Sequence, residues 1–323
     1  MTAPVLLMPG PMNPAVMKGC DSRFEVLRLW EADDPDALLR ERGAEVLAVA
    51  TGGQRRVDDD LMGALPSLQI VANFGVGYDT VDAEAAARRG VVVTNTPGVL
   101  DDEVADTAIG LLLMTVRELP QAERYLRAGS WEEGGPYPLT PATLKGRTLG
   151  IVGLGRIGEA IASRAVAFGV SIAYHNRNEK PGSSYRYYPD LVAMARDVDT
   201  LLVATPGGPD TRHLVGREVL EALGPDGVLV NVARGSVVDE EALVEALRTR
   251  TILGAGLDVY EQEPRVPQAL LDLDNAVLLP HVGSASEPTR QAMGELVVAN
   301  LEAWFDRGEP LTPVAESAGL LGR

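Results

Sequence analysis

Residues 148–158, TLGIVGLGRIG, decide how this chain is read. An apolar run (Leu149, Ile151, Val152) leads into Gly153, Gly155 and Gly158, spaced G-x-G-x-x-G, with Leu154 between the first two. A helical pattern follows as far as Phe168-Gly169, and then a second apolar run, SIAYHNRN (171–178). Strand, glycine turn, helix and strand, in that order, form the context in which such glycines bind a dinucleotide. Gly153 permits the tight turn, and Gly155 lets the backbone approach a pyrophosphate. Gly158 lets the helix pack close to the strand, so that the helix N-terminus faces the phosphates.

Composition narrows what such a chain can be. Its 323 residues suggest two domains. Although 46% of the residues are hydrophobic, the longest apolar run, AIGLLLMTV (108–116), falls far short of the roughly 20 residues needed to span a bilayer. The opening MTAPVLLMPG lacks a basic region and reaches Pro9-Gly10 too soon for a signal peptide. Cys20 is the only cysteine, so neither an intrachain disulfide nor a cysteine metal cluster is expected, and the location expected is cytoplasmic. A formal net charge of −17 argues against a nucleic-acid partner, because phosphate backbones demand clustered Lys and Arg.

Ahead of the glycine turn, short β-rich runs alternate with helical patterns. VLLM (5–8), EVLRLW (25–30), EVLAVA (45–50), QIVANF (69–74) and VVVTN (91–95) read as strands. DDPDALLRERG (33–43) and VDAEAAARRG (81–90) read as helices capped by aspartate and stopped by glycine. This pattern predicts a small parallel α/β domain. A long helix is expected over 100–120, ending at Pro120, followed by an irregular arm at 127–147 that carries Trp131 and Tyr137. Six strand-like runs, at 149–153, 171–175, 200–204, 227–232, 251–257 and 276–279, fit a doubly wound nucleotide-binding sheet. An amphipathic helix at 287–308 is expected to return to the first domain, and the tail after Thr312 carries no strong signal. The fold class expected is therefore α/β, with two Rossmann-like or flavodoxin-like doubly wound parallel sheets. The domains expected are 1–99 plus 285–323 for the substrate and 100–284 for the dinucleotide.

Ligands of open α/β sheets bind at the C-terminal ends of the strands, so those ends carry the chemistry. They read His175-Asn176-Arg177, Thr205-Pro206-Gly207, Val232-Ala233-Arg234-Gly235, Asp258-Val259-Tyr260 with Glu263 behind, and His281-Val282-Gly283-Ser284. Hydride transfer to a carbonyl needs a proton donor that titrates near neutrality, and the chain has three histidines. His175 falls where the adenosine ribose should lie, and His213 reads as a residue capping or packing near a helix start. His281 falls beside the nicotinamide position, with Glu263 at the neighbouring strand's end to orient and charge it. Arg234 offers a planar guanidinium that can hold a carboxylate bidentately and polarise the adjoining carbonyl. NFGVGYDTVD (73–82) offers main-chain N–H groups that could form an anion nest.

Taken together, NFGVGYD (73–79), TNTPGVLDDEVADTAIGLLL (94–113), GIVGLGRIG (150–158), NVARGSVVDEEAL (231–243), GAGLDVYEQEP (254–264) and LLPHVGSAS (278–286) resemble the D-isomer-specific 2-hydroxyacid dehydrogenase family along essentially the whole chain. Within it the chain is most similar to the NADP-dependent glyoxylate/hydroxypyruvate reductases. The resemblance implies that His281 is the acid/base, Glu263 its carboxylate partner and Arg234 the anchor of a 2-oxoacid. It implies that the N–H groups of Val76 and Gly77 hold the substrate carboxylate, and that Asp258 and Thr107 face the nicotinamide end. Arg156 and Ile157 would offer N–H groups to the pyrophosphate, with Thr205, Pro206, Val232, Ala233, Gly283 and Ser284 lining the rest of the cofactor site. The family further implies an active site between two domains that close over the ligands, and a homodimer to which the 127–147 arm contributes. No metal is implied.

One departure from the common NAD-binding pattern concerns the second strand. An aspartate usually ends it, about 20 residues after the glycines, to hold the ribose 2′-hydroxyl. Here Asn176 and Arg177 stand there, and no acid appears before Glu179. A carboxylate would repel a 2′-phosphate, which Asn and Arg can bind, so NADP(H) is expected in preference to NAD(H). Glu263 speaks against the formate dehydrogenase branch, which pairs its histidine with glutamine, and the chain has no room for the added regulatory domain usual in phosphoglycerate dehydrogenases. The expected substrate is a short 2-oxoacid, with aryl-pyruvates and sugar-derived 2-oxoacids as alternatives. A nucleotide-sensing corepressor on the same fold is the rival of a different class.

Overall fold

The computed structural model describes residues 3–53 and 55–321. The ends of the first domain expected from the sequence, 1–2 and 322–323, and Gln54 within it lie outside the described residues. The chain divides into two compact units, Met1–Leu100 with Ser286–Arg323, and Asp101–Ala285.

The first unit is built on β1 (Val5–Met8), β2 (Glu25–Arg28), β3 (Val46–Thr51), β4 (Ile70–Asn73) and β5 (Val92–Thr94), in the order β2-β1-β3-β4-β5 and parallel throughout. A parallel sheet must be covered on both faces, and alternate residues divide between two cores accordingly. Val5 and Leu7 face Leu61, Met62 and Ala85, whereas Leu6 and Met8 face Val16, Cys20, Val297 and Leu301. The helices begin where the sequence places their caps. Asp34 Oδ1 accepts from the N–H groups of Asp36 and Ala37 ahead of Pro35–Arg42, and Asp82 Oδ1 from Ala85 ahead of Ala83–Arg88.

The C-terminal helix, Glu287–Arg307, belongs to this unit, and its buried side includes the polar Asn300. That carboxamide donates to Thr312 Oγ1 and accepts from the N–H groups of Leu311 and Thr312. Strict amphipathicity therefore gives way where a buried polar group anchors the next loop. Beyond it, the tail is ordered by long-range bonds that no local pattern announces. A 3-10 helix spans Ala315–Leu320, the Val93 N–H donates to the buried Ser317 hydroxyl, and the Val314 N–H donates to the Val93 carbonyl.

The second unit holds β6 (Thr148–Val152), β7 (Ser171–His175), β8 (Arg186–Tyr187), β9 (Thr200–Val203), β10 (Val228–Asn231), β11 (Gly254–Leu257) and β12 (Ala276–Leu278). The order is β12-β11-β10-β9-β6-β7-β8, again entirely parallel. The direction of winding reverses at β6 and β9, which places the glycine turn at the topological switch point. The sequence suggested six strands. The seventh, β8, is a two-residue edge strand, too short to show a period. The expected helix over 100–120 is two helices, Asp101–Val116 and Leu119–Arg127. Glu118 turns into the left-handed region (φ 51°), and Pro120 sits in the first turn of the second helix instead of closing the first. The arm at 127–147 contains a further short helix, Ser130–Gly134. No helix among the described residues is long and apolar enough to cross a membrane.

Candidate active site

The glycine turn is built as its spacing requires. Gly153 takes φ 101°, and a Cβ there would lie 2.6 Å from the Thr205 nitrogen. A Cβ on Gly158 would lie 2.3 Å from the Gly153 carbonyl, whereas one on Gly155 would meet nothing within 4 Å. The first and third glycines thus serve close packing, and the second leaves its surface open to a phosphate. The helix Arg156–Val166 starts immediately afterwards, with Gly155 as its cap, so the N–H groups of Arg156 and Ile157 head a helix dipole. The Arg156 guanidinium itself turns to Asp101 Oδ2 at 3.2 Å. These features fit a dinucleotide pyrophosphate.

Asn176 and Arg177 follow β7, and their environments differ. The Leu154 N–H donates to Asn176 Oδ1 at 2.7 Å, fastening the end of β7 to the glycine turn. Arg177 is largely exposed and pairs with Asp210 Oδ2 at 3.2 Å. His175 Nδ1 lies 2.9 Å from the Tyr188 carbonyl, an edge contact remote from acid/base work. His213 does not cap a helix, although its carbonyl lies near the helix start at Gly216, 3.5 Å from where a Cβ on that glycine would sit. It is left-handed (φ 52°), its Nε2 lies 3.1 Å from Glu261 Oε1, and Gly216 is the cap residue of the next helix, Arg217–Leu223. Thr205 follows β9 half-buried beside Gly153, and the next residue, Pro206, is exposed.

At the end of β10 the buried Asn231 shapes the turn that presents Arg234. Its Oδ1 accepts from the Ala233 N–H at 3.0 Å, and its Nδ2 donates to the Arg234 carbonyl at 2.9 Å. Val232 stays in register through its N–H to the Val203 carbonyl, and Arg234 Nη1 donates to the Ala233 carbonyl at 2.8 Å. A methyl on Gly207 would reach 2.9 Å from Arg234 Cγ, so the β9 and β10 loops pack together along the arginine's stem.

Glu263 and His281 meet across the ends of β11 and β12, with Nδ1 of the ring 2.6 Å from Glu263 Oε2. The other oxygen, Oε1, accepts from the Tyr260 N–H at 3.0 Å. Burial works to raise the Glu263 carboxyl, but His281, the Tyr260 N–H and Arg234 outweigh it and hold the group below its ordinary range. An ionised Glu263 places a proton on Nδ1 and leaves Nε2 as the working nitrogen of a ring whose side chain is 46% exposed. His281 occupies the left-handed region (φ 54°), which costs a non-glycine residue energy and needs outside support.

Asp258 supplies that support. The N–H groups of Val282 and Gly283 donate to its two carboxylate oxygens at 2.7 and 2.8 Å, and the His281 N–H donates to its carbonyl at 2.9 Å. The side chain is almost wholly buried, and burial pushes its carboxyl up against the pull of those N–H groups. Asp258 therefore grips the histidine turn and does not present its carboxylate to solvent. Thr107 Oγ1 donates to the Gly283 carbonyl at 3.3 Å, and Ser284 follows half-buried.

In the first unit, the loop after β4 is held through its carbonyls. Asn73 Nδ2 donates to the carbonyls of Gly75 and Gly77 at 3.2 and 3.1 Å, and Asn95 Nδ2 donates to that of Val76 at 2.8 Å. With three successive carbonyls engaged, the N–H groups of Val76 and Gly77 donate to no acceptor among the described residues. Asn73 and Asn95 hold the loop after β4, and Asn231, Tyr260 and Lys180 hold turns of the second unit; sequence reasoning singled out none of them. A polar residue ending an apolar strand run was the available signal for both Asn73 and Asn231. No group of His, Cys, Asp and Glu among the described residues could hold a metal ion.

Known proteins resemble this chain over its length. The family model for the D-isomer specific 2-hydroxyacid dehydrogenase NAD binding domain matches residues 109–283. The glyoxylate/hydroxypyruvate reductase A of Arabidopsis thaliana is 46% identical over 96% of this chain and 98% of its own. The hydroxyphenylpyruvate reductase of Plectranthus scutellarioides is 46% identical over 97% of this chain and 100% of its own. Among solved structures, the NADPH-dependent glyoxylate/hydroxypyruvate reductase of Sinorhizobium meliloti in complex with NADP and malonate superposes with a TM-score of 0.93 at 57% identity, covering 98% of each chain. Likeness of this extent makes the protein an oxidoreductase of the D-isomer specific 2-hydroxyacid dehydrogenase family.

Proposed function

We propose that the protein reduces a short 2-oxoacid, glyoxylate or hydroxypyruvate, to the D-2-hydroxyacid with NADPH. The observation that carries this reading is the 2.6 Å contact between His281 Nδ1 and Glu263, at the rim of a sheet whose glycine turn fits a dinucleotide. A nicotinamide bound at that rim supplies a hydride to C2. His281 Nε2 gives the proton to the emerging alkoxide oxygen, and Glu263 stabilises the imidazolium that does so. Arg234 holds the substrate carboxylate and polarises the 2-carbonyl, and the N–H groups of Val76 and Gly77 in the first unit are suited to bind a carboxylate. The Sinorhizobium relative was solved with NADP, and this chain ends β7 with Asn176-Arg177 in place of an acid. Both support NADP(H) over NAD(H).

The first unit serves the substrate and the second the cofactor. The working form is inferred to be a cytoplasmic homodimer. The apolar side chains exposed on and around the arm, Leu126 at 56%, Trp131 at 61% and Leu139 at 98%, are the surface such a contact would cover. Light scattering on the purified protein tests the dimer.

A panel of glyoxylate, hydroxypyruvate, hydroxyphenylpyruvate and sugar-derived 2-oxoacids, each with NADPH and NADH, tests the activity. Glyoxylate and hydroxypyruvate should be turned over with NADPH, and His281→Ala should abolish most of kcat while NADPH still binds. No turnover of any 2-oxoacid would move the protein to the nucleotide-sensing class.

A further inference from the structure

The loop leaving β7 brings a second cation back to the glycine turn. Lys180 Nζ donates to the Leu154 carbonyl at 3.3 Å and pairs with Glu159 Oε1 at 2.7 Å. The Lys180 N–H donates to the Tyr174 hydroxyl at 3.0 Å, which ties the loop to the buried end of β7. Asn176 takes the N–H of Leu154 while Lys180 takes its carbonyl, so residues 176–180 grip Leu154, the residue between the first two glycines, through the peptide units on both of its sides.

The donor set at this place is distinctive. Asn176 Oδ1 is spent on the Leu154 N–H, so the outward half of the carboxamide is Nδ2, a donor. A ribose 2′-hydroxyl at the end of such a strand is ordinarily met by a carboxylate acceptor. Nothing acidic replaces it here, since Glu179 is exposed and the next carboxylate at hand, Glu159, already holds Lys180. A donor amide, the Arg177 guanidinium and an ammonium suit a dianionic phosphate. The two cations differ in how they are held. Arg177 is 80% exposed and pairs with an equally exposed Asp210, whereas Lys180 is 31% exposed and anchored through its backbone, Leu154 and Glu159. An ammonium already held in place loses little freedom on binding an anion.

We propose that Lys180 is a specificity-determining residue of the adenosine subsite, the preorganised cation that selects a 2′-phosphate over a 2′-hydroxyl. Its pair with Glu159 keeps the ammonium beside the glycine turn until the phosphate takes over part of its charge. The proposal rests on the NADP(H) reading above.

The test is equilibrium binding, by calorimetry, of adenosine 2′,5′-bisphosphate and adenosine 5′-monophosphate to the full chain and to Lys180→Met and Lys180→Arg. The unsubstituted protein should bind the bisphosphate the more tightly. Lys180→Met should weaken the bisphosphate about tenfold, the worth of one charge-assisted hydrogen bond, and leave the monophosphate within about twofold. Lys180→Arg should restore most of the preference, and thermal unfolding should show each variant folded. Equal weakening of both nucleotides, or of neither, overturns the role of Lys180 and leaves the NADP(H) reading intact. If the unsubstituted protein binds both nucleotides alike, the NADP(H) reading falls and this inference with it.

Discussion

Replacing Glu263 with glutamine keeps the size of the side chain, removes its charge and leaves one hydrogen bond unmade. Both carboxylate oxygens are in use, Oε1 by the Tyr260 N–H at 3.0 Å and Oε2 by His281 Nδ1 at 2.6 Å. A carboxamide has one acceptor oxygen, so one of these donors must confront an NH2 group. Against the effect of burial, His281, the Tyr260 N–H and Arg234 depress the Glu263 carboxyl. The group is therefore ionised at neutral pH. Its stabilising contribution is present above the ordinary glutamate pKa and is lost as pH falls through the depressed folded value.

A charge-assisted hydrogen bond contributes about 1.5–3 kcal/mol, and the 33% exposure of Glu263 argues for the lower end. Appearing in the barrier, that amounts to about a tenfold loss of kcat. Steady-state reduction of glyoxylate with NADPH across a pH series measures it. In Glu263→Gln kcat should fall about tenfold at neutral pH, where the parent's Glu263 is ionised, while NADPH affinity stays unchanged. A folded variant with the parent's kcat would refute the assignment of Glu263 as the catalytic partner of His281.

Asp258→Asn sets one of the N–H groups of Val282 and Gly283 against an NH2 group. Allowing for relief of the cost of burying a charge, the variant should lose about 1–2 kcal/mol, or about 2–8 °C of Tm for a unit of this size, with a parallel loss of kcat as the His281 turn loosens. Calorimetry and rate assays check this, and an unchanged Tm would show that the clamp contributes nothing. Cys20 is wholly buried, and burial above all pushes its thiol up to about 12. The native protein should accordingly resist iodoacetamide in mildly alkaline buffer and react once unfolded in urea. Mass spectrometry would detect native labelling at the rate of free cysteine, which would contradict that burial.

Much of the fold was legible because the signals are local. Alternation from strand to helix, aspartate caps and glycine stops marked both parallel sheets before any contact was known. β8 escaped because two residues carry no period, and the helix break at Glu118 because proline opens a helix as readily as it closes one. The ordering of Ala315–Leu320 rests on Ser317 meeting Val93, a pairing between distant parts of the chain that leaves no trace in either neighbourhood.

The chemistry divides along the same line. Sequence alone determined that a dinucleotide turn is present, because G-x-G-x-x-G between two strands satisfies backbone requirements that only glycine meets. It also named Arg234, Glu263 and His281, because residues ending parallel strands gather at one rim. Only the tertiary structure decided how those groups are held. It set Asp258 as the clamp of a left-handed histidine, gave His213 to Glu261, and brought Lys180 back onto Leu154. Residue type and spacing fix what a side chain can do. Which partner takes its charge depends on loops packed from separate strands, and that is decided only when the chain folds.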